Sequence, residues 1–129
     1  MADGILPYDF LLKACDPQLV AMEMDLCWTR VGGADPVKYF NQHPGRFPLV
    51  HIKDVKKLPK PTSIDGASIT SEQVTPDMTE VGSGIIDWKH IFANSAKAGI
   101  QHYFVEHDEP ADPIASIQQS YQYLSALRF

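Results

Sequence analysis

Asp25, His51 and Glu106 are residues of the kinds that ligate metals or move protons. Each stands within or at the end of a short apolar run: 20–26 (VAMEMDL), 48–55 (PLVHIKDV) and 102–107 (HYFVEH). Runs this short, rich in apolar and β-branched residues, read as strands. Strand side chains alternate between faces. Ala21, Glu23 and Asp25 therefore share one face, Leu49, His51 and Lys53 another, and Phe104, Glu106 and Asp108 a third. Each face turns from small or apolar to polar toward the carboxyl end of its strand. The opposite faces, Met22/Met24/Leu26, Val50/Ile52 and Tyr103/Val105, are apolar enough to pack beneath helices.

A sealed core rejects an imidazole and an ammonium on one strand face. If the three strands run parallel, their polar ends bring Asp25, His51 and Glu106 to one point, outside the carboxyl ends where such sheets bind ligands. Two carboxylates and an imidazole suit a divalent ion such as Mn²⁺, Mg²⁺ or Co²⁺, with water or substrate completing the shell. Taken singly, each residue reads more readily as a hydrogen-bonded or solvated strand end than as a ligand. Three of them at matching depth favour a site.

The intervening segments supply the helices that such an arrangement needs. Asp35-Pro36 and Asp112-Pro113 place a capping side chain before a proline at the first helical position. Asp87 can cap a helix from Trp88, and Gly99 can end it. Ile114, Ile117, Tyr121 and Leu124 recur at the spacing of one helical face, and residues 8–15 form a shorter helix before the first strand. The order is one helix and then three βα units, the pattern of an α/β fold with parallel strands. Residues 56–80 show little periodicity and contain Pro59, Pro61, Gly66 and Pro76. A loop of that length over a βα array is either a lid or a floppy insertion.

The 129 residues make one domain, 1–129, with 44% apolar and 21% charged residues, an ordinary globular composition. A net charge of -5 argues against a nucleic-acid partner, which calls for a basic stripe. Cys15 and Cys27 form no CxxC motif and read as buried, reduced thiols. No run approaches the roughly 18 apolar residues of a membrane span, and the start MADGILPYDF lacks the basic and apolar regions of a signal peptide. A cytoplasmic protein without a membrane partner is the expectation.

The segments MEMDLCW, GRFPLVHIKDV, EVGSGIIDWKHIF and HYFVEHDEP, in this order and spacing, resemble the sugar phosphate isomerase/epimerase family. These are xylose isomerase-like TIM barrels related to ketose 3-epimerases and to endonuclease IV. The resemblance covers nearly the whole chain but only the carboxyl-terminal part of the family, since a (β/α)₈ barrel usually takes about 250 residues. It implies a partial barrel of three parallel βα units. It also implies a divalent metal on Asp25, His51 and Glu106, with Glu106 doubling as a catalytic acid/base.

The implied reaction of this isomerase-like protein is metal-assisted proton transfer next to the carbonyl of a small-molecule sugar or sugar phosphate, part of carbohydrate metabolism. Lys53 would hold a substrate oxygen or phosphate and Trp28 would wall the pocket. A solvated strand-end lysine and a packed tryptophan are the plain alternatives. The family's further Glu, on the fifth strand, has no counterpart in this sequence, so weak or absent activity is expected of the chain alone. The rival reading is a non-catalytic truncated barrel domain, an oligomerising or binding module. A three-stranded parallel sheet leaves its inner face and outer edges open. The expected partner is therefore a second copy of the chain, in a homo-oligomer, or a separate chain supplying the missing strands.

Overall fold

Aspartate and proline set most of the element boundaries. In chain order the elements are α1 (Pro7–Ala14), β1 (Glu23–Asp25), α2 (Leu26–Val31), α3 (Pro36–Gln42), β2 (Leu49–Ile52), β3 (Asp54–Val55), β4 (Met78–Thr79), α4 (Trp88–Phe92), α5 (Ser95–Ala98), β5 (His102–Val105) and α6 (Pro113–Ala126). They belong to a computed structural model that describes residues 5–58 and 76–129. Asp35 caps α3 by accepting from Val37 N at 3.0 Å. Asp112 caps α6 by accepting from Ile114 N and Ala115 N. In both helices proline fills the first position, where its missing N–H leaves no bond unmade. Asp87 caps α4 through His90 N. Gly99 ends α5 in the left-handed conformation, φ 80°, which is open to a residue without a Cβ.

The sheet has the order β1-β2-β5, all parallel, with Asp25 beside His51 and His51 beside Phe104. This is a mixed α/β fold around a three-stranded parallel sheet. Met24, Val50 and Ile52 are buried on one face, in a core with Phe40, Phe47, Trp88, Ile91 and Phe92. The other face carries Glu23, Asp25, Leu49, His51 and Phe104, all partly or largely exposed. Helices and core thus lie on one side, and the polar face is half-open. Of the two cysteines expected to be buried, Cys15 at the end of α1 is only partly so, whereas Cys27 lies in the core, where burial pushes its thiol up to about 12, the state of an inert thiol. No helix among the described residues is long and apolar enough to cross a membrane.

Four local features depart from the sequence reading. β1 ends at Asp25 because the Asp25 carboxylate accepts from Trp28 N at 2.8 Å and so starts α2 at Leu26. The run 48–55 is two strands, because the chain leaves the parallel ladder at Lys53 and β3 pairs antiparallel with β4. The far end of the 56–80 segment is therefore ordered structure; residues 59–75, and the lid expected there, lie outside the described residues. The helix expected from Trp88 to Gly99 is divided into α4 and α5, with Asn94 between them.

The face of α6 differs most. Ile114, Ile117 and Tyr121 are 66%, 60% and 70% exposed, while Ser116 and Ser120 are buried. Leu124, the last residue of the expected stripe, is half-buried and packs on the core with Tyr123, and polar contacts complete the docking: Ser120 Oγ accepts from Val81 N at 3.1 Å, and Gln119 donates to Ser83 at 2.7 Å. Periodicity marks an apolar stripe but not what stands opposite it.

Candidate metal centre

The cap that opens α2 also builds the site. With Oδ1 bound to Trp28 N, the Asp25 side chain is locked in one rotamer and its second oxygen, Oδ2, turns toward β2. Oδ2 lies 3.9 Å from His51 Nδ1 and 3.5 Å from Lys53 Nζ. Glu106 follows the last residue of β5, and its N–H continues the ladder by donating to Ile52 O at 3.0 Å. That bond sets its side chain beside β2, where Glu106 Oε2 meets His51 Nδ1 at 2.9 Å and Lys53 Nζ at 2.9 Å. One ligand atom each from Asp25, His51 and Glu106 lies within 4.8 Å of the others. The residues singled out for metal binding are thus brought together.

Lys53 and Trp28 occupy different settings. Lys53 is buried at 8% exposure, its ammonium shared among Asp25, Glu106 and Asp108, the last at 2.9 Å. Burial pulls its pKa down, but the hydrogen bonds to Glu106 and Asp108 and the Asp25 charge outweigh burial, and the net shift is upward. Lys53 is charged at every ordinary pH. Burial pushes the Asp25 carboxyl up, against the opposing pull of Trp28 N–H, Lys53 and His51. Trp28 is 39% exposed and lines a shallow groove with Tyr8, Glu23, Asp25 and Thr29.

Three acidic residues near this centre were not singled out in the sequence. Glu23 Oε1 contacts His51 Nε2 at 2.8 Å, and Asp108 holds the far side of the Lys53 ammonium. Counting along the strands puts both on the faces of Asp25 and Glu106, but it does not say which side chain of β2 each one meets. Asp54 points the other way, into the core, where it is 1% exposed. It accepts from Val55 N, Gly82 N, Gly84 N, Ile86 N and Trp88 Nε1 at 2.9–3.3 Å. A Cβ at Gly84 would collide with that carboxylate, so the glycine permits the close approach. The only advance signal was the VGSGII run. Asp54 thereby pins the strand end that carries Lys53.

No family model matches the chain. Over 109 residues, which are 84% of the chain and 37% of the relative, it is 28% identical to an inosose dehydratase of Geobacillus thermodenitrificans. Two solved structures of sugar phosphate isomerase/epimerases from Parabacteroides distasonis each match 98% of the chain. They do so at 31% and 26% identity, with TM-scores of 0.72 and 0.70, over 38% and 37% of their own lengths. In sequence and fold, the chain is similar to sugar phosphate isomerase/epimerases and spans little more than a third of their length.

Proposed function

We propose that Asp25, His51 and Glu106 hold a divalent metal, Mn²⁺, Mg²⁺ or Co²⁺, in a site for proton transfer next to the carbonyl of a sugar or sugar phosphate. The supporting observation is their convergence on the half-open sheet face at the carboxyl ends of parallel strands. Two oxygens and one nitrogen within 4.8 Å are a donor set that such ions accept. A bound metal supplies Lewis-acid polarisation of the carbonyl and neighbouring hydroxyl oxygens. Glu106, 40% exposed on that face, is the group placed to take up and return the proton. The Lys53 ammonium would reach a substrate oxygen or phosphate by exchanging one of its carboxylate partners, of which Asp108 is the most exposed, and the Trp28 ring walls the approach beside Asp25. Isomerisation, epimerisation and dehydration next to a carbonyl share the removal of that proton, which accommodates both kinds of relative.

Because the chain spans about a third of those relatives, turnover by the chain alone should be weak or absent. The test combines Mn²⁺ titration with ketose turnover. Asp25→Asn and His51→Asn should abolish Mn²⁺ binding, and Glu106→Gln should remove whatever Mn²⁺-dependent turnover the chain has. Unchanged Mn²⁺ affinity in both ligand variants would sink the metal reading.

A second reading, a non-catalytic module that associates with another chain, is favoured by the outer edge of the sheet. All four residues of β5 are exposed, and Ile114, Ile117 and Tyr121 of α6 face outward. Light scattering tests its homo-oligomeric form: a 14.4 kDa particle at micromolar concentration speaks against association of copies.

A further inference from the structure

We infer that Glu23 is a positioning residue that fixes which nitrogen of His51 is offered to the metal. This deepens the proposed metal site and rests on that reading. The two nitrogens of His51 face different surroundings. Nδ1 looks at Glu106 Oε2 at 2.9 Å and Asp25 Oδ2 at 3.9 Å, the two carboxylates that complete the donor set. Nε2 looks at Glu23 Oε1 at 2.8 Å. Only Nδ1 can share an ion with both Asp25 and Glu106.

The strand register explains why residue 23 is placed for this. Asp25 is paired with His51 and Glu23 with Leu49, one pleat deeper on the same face. The His51 ring therefore lies between two acidic levels, and the length of a glutamate side chain lets the deeper carboxylate reach it. Phe104 meets the ring edge-on, with centroids 5.9 Å apart and planes at 74°, which restrains the ring from swinging. By accepting the Nε2–H bond, Glu23 keeps the proton on Nε2, so that an ion arriving between Asp25 and Glu106 displaces the proton at Nδ1 and coordinates there. A carboxylate on the far nitrogen of a ligating histidine orients the ring and strengthens it as a ligand, and losing such a partner typically weakens metal binding about 10–100-fold.

The test uses the full chain with the metal alone. Long-range ¹H–¹⁵N NMR of histidine-labelled protein, with His51 assigned by loss of its signals in His51→Asn, reads the nitrogens before and after Zn²⁺. Zn²⁺ on Nδ1 with a proton retained on Nε2 is the expected result; Zn²⁺ on Nε2 overturns the proposal without any variant. In parallel, Mn²⁺ affinity should fall about 10–100-fold in Glu23→Leu and stay near wild type in Glu23→Gln, whose amide oxygen still accepts the bond. The Glu23 side chain is 43% exposed, so the fold tolerates both changes, and circular dichroism verifies it. Wild-type affinity in Glu23→Leu overturns the role of Glu23. If His51→Asn also binds Mn²⁺ like wild type, the metal site itself falls. If His51→Asn loses binding while Glu23→Leu keeps it, only this inference fails.

Discussion

Lys53 and His51 compete for one atom. Lys53 Nζ and His51 Nδ1 each stand 2.9 Å from Glu106 Oε2. Glu106 is thereby fixed from two directions, and an ion entering between Glu106 and Asp25 must share its oxygens with an ammonium.

Lys53→Met should therefore tighten Mn²⁺ binding, by at least about tenfold. A unit charge at roughly 4 Å is worth about 4 kcal/mol at the effective dielectric near a protein surface, and part of that is regained by relaxation. Without metal the same variant should be destabilised by repulsion among Asp25, Glu106 and Asp108, and Mn²⁺ should restore its thermal midpoint. Calorimetry and thermal unfolding measure the two effects. Weaker Mn²⁺ binding in Lys53→Met would mean that the ammonium organises the ligands instead of competing with the ion.

Asp25→Asn isolates the cost of burying a carboxylate. Burial raises the Asp25 pKa above its ordinary 3.8 despite the nearby cations. A raised acid contributes most stability below its unfolded value and loses it as pH rises through the folded value. Asparagine can keep the cap on Trp28 N and carries no charge. In chelator-treated buffer at pH 7, Asp25→Asn should unfold at a higher temperature than wild type, with the gap closing toward the acid side. A lower midpoint at pH 7 would show that the ion pairs with Lys53 and His51 outweigh burial.

Glu80 has the opposite sign. Its own backbone N–H lowers its pKa below the ordinary 4.5; burial opposes this, while Thr79, Ser116 and the His107 charge assist. Stability from such a group is present above the unfolded value and is lost as pH falls through the folded one. Glu80→Gln should cost about 1 kcal/mol at neutral pH and flatten the acid limb below 4.5. An acid limb identical to that of wild type would remove Glu80 from this account.

Asp54→Ala leaves five N–H donors facing a cavity, four of them from the backbone. Each unsatisfied buried donor costs about 1–3 kcal/mol. Even with partial relaxation the loss should exceed about 4 kcal/mol, a large part of a small domain's total. Urea unfolding measures it. A loss below about 1 kcal/mol would mean that water replaces the carboxylate without penalty.

Much of the site was legible because strands alternate. Counting by twos placed Asp25, His51 and Glu106 on matching faces, and aspartates ahead of Pro36, Pro113 and Trp88 marked three helix starts. Other features depend on what lies across space. Asp25 looked like a strand end, but its carboxylate is also the cap of α2, so strand and helix meet with no loop between them. β3 pairs with β4 beyond a long intervening segment, a partnership that two-residue strands cannot announce. The roles of Glu23 and Lys53 depend on which carboxylate lies one pleat above or below, and register sets that. Asp54 was hidden because its partners are mostly backbone N–H groups, which leave no trace in side-chain types.

The attachment of α6 bears on how the molecule breathes. The helix is held to Val81, Ser83 and His107 by Ser120, Gln119 and Ser116, with the Tyr123 ring lying over Gly82. Only Tyr123 and Leu124 among its larger apolar side chains lean on the core, and both are half-buried, while Ile114, Ile117 and Tyr121 face away. A few hydrogen bonds worth about 1 kcal/mol each and two half-buried side chains hold it less firmly than apolar burial holds β2, whose Val50 and Ile52 are almost fully buried. Segments with little buried apolar contact open at lower free energy than the core. Amide hydrogen exchange should therefore run fastest, among the regular elements of the outer edge, in α6, well ahead of global unfolding. α6 amides as protected as those of β2 would show that the Ile114, Ile117 and Tyr121 face is covered in solution.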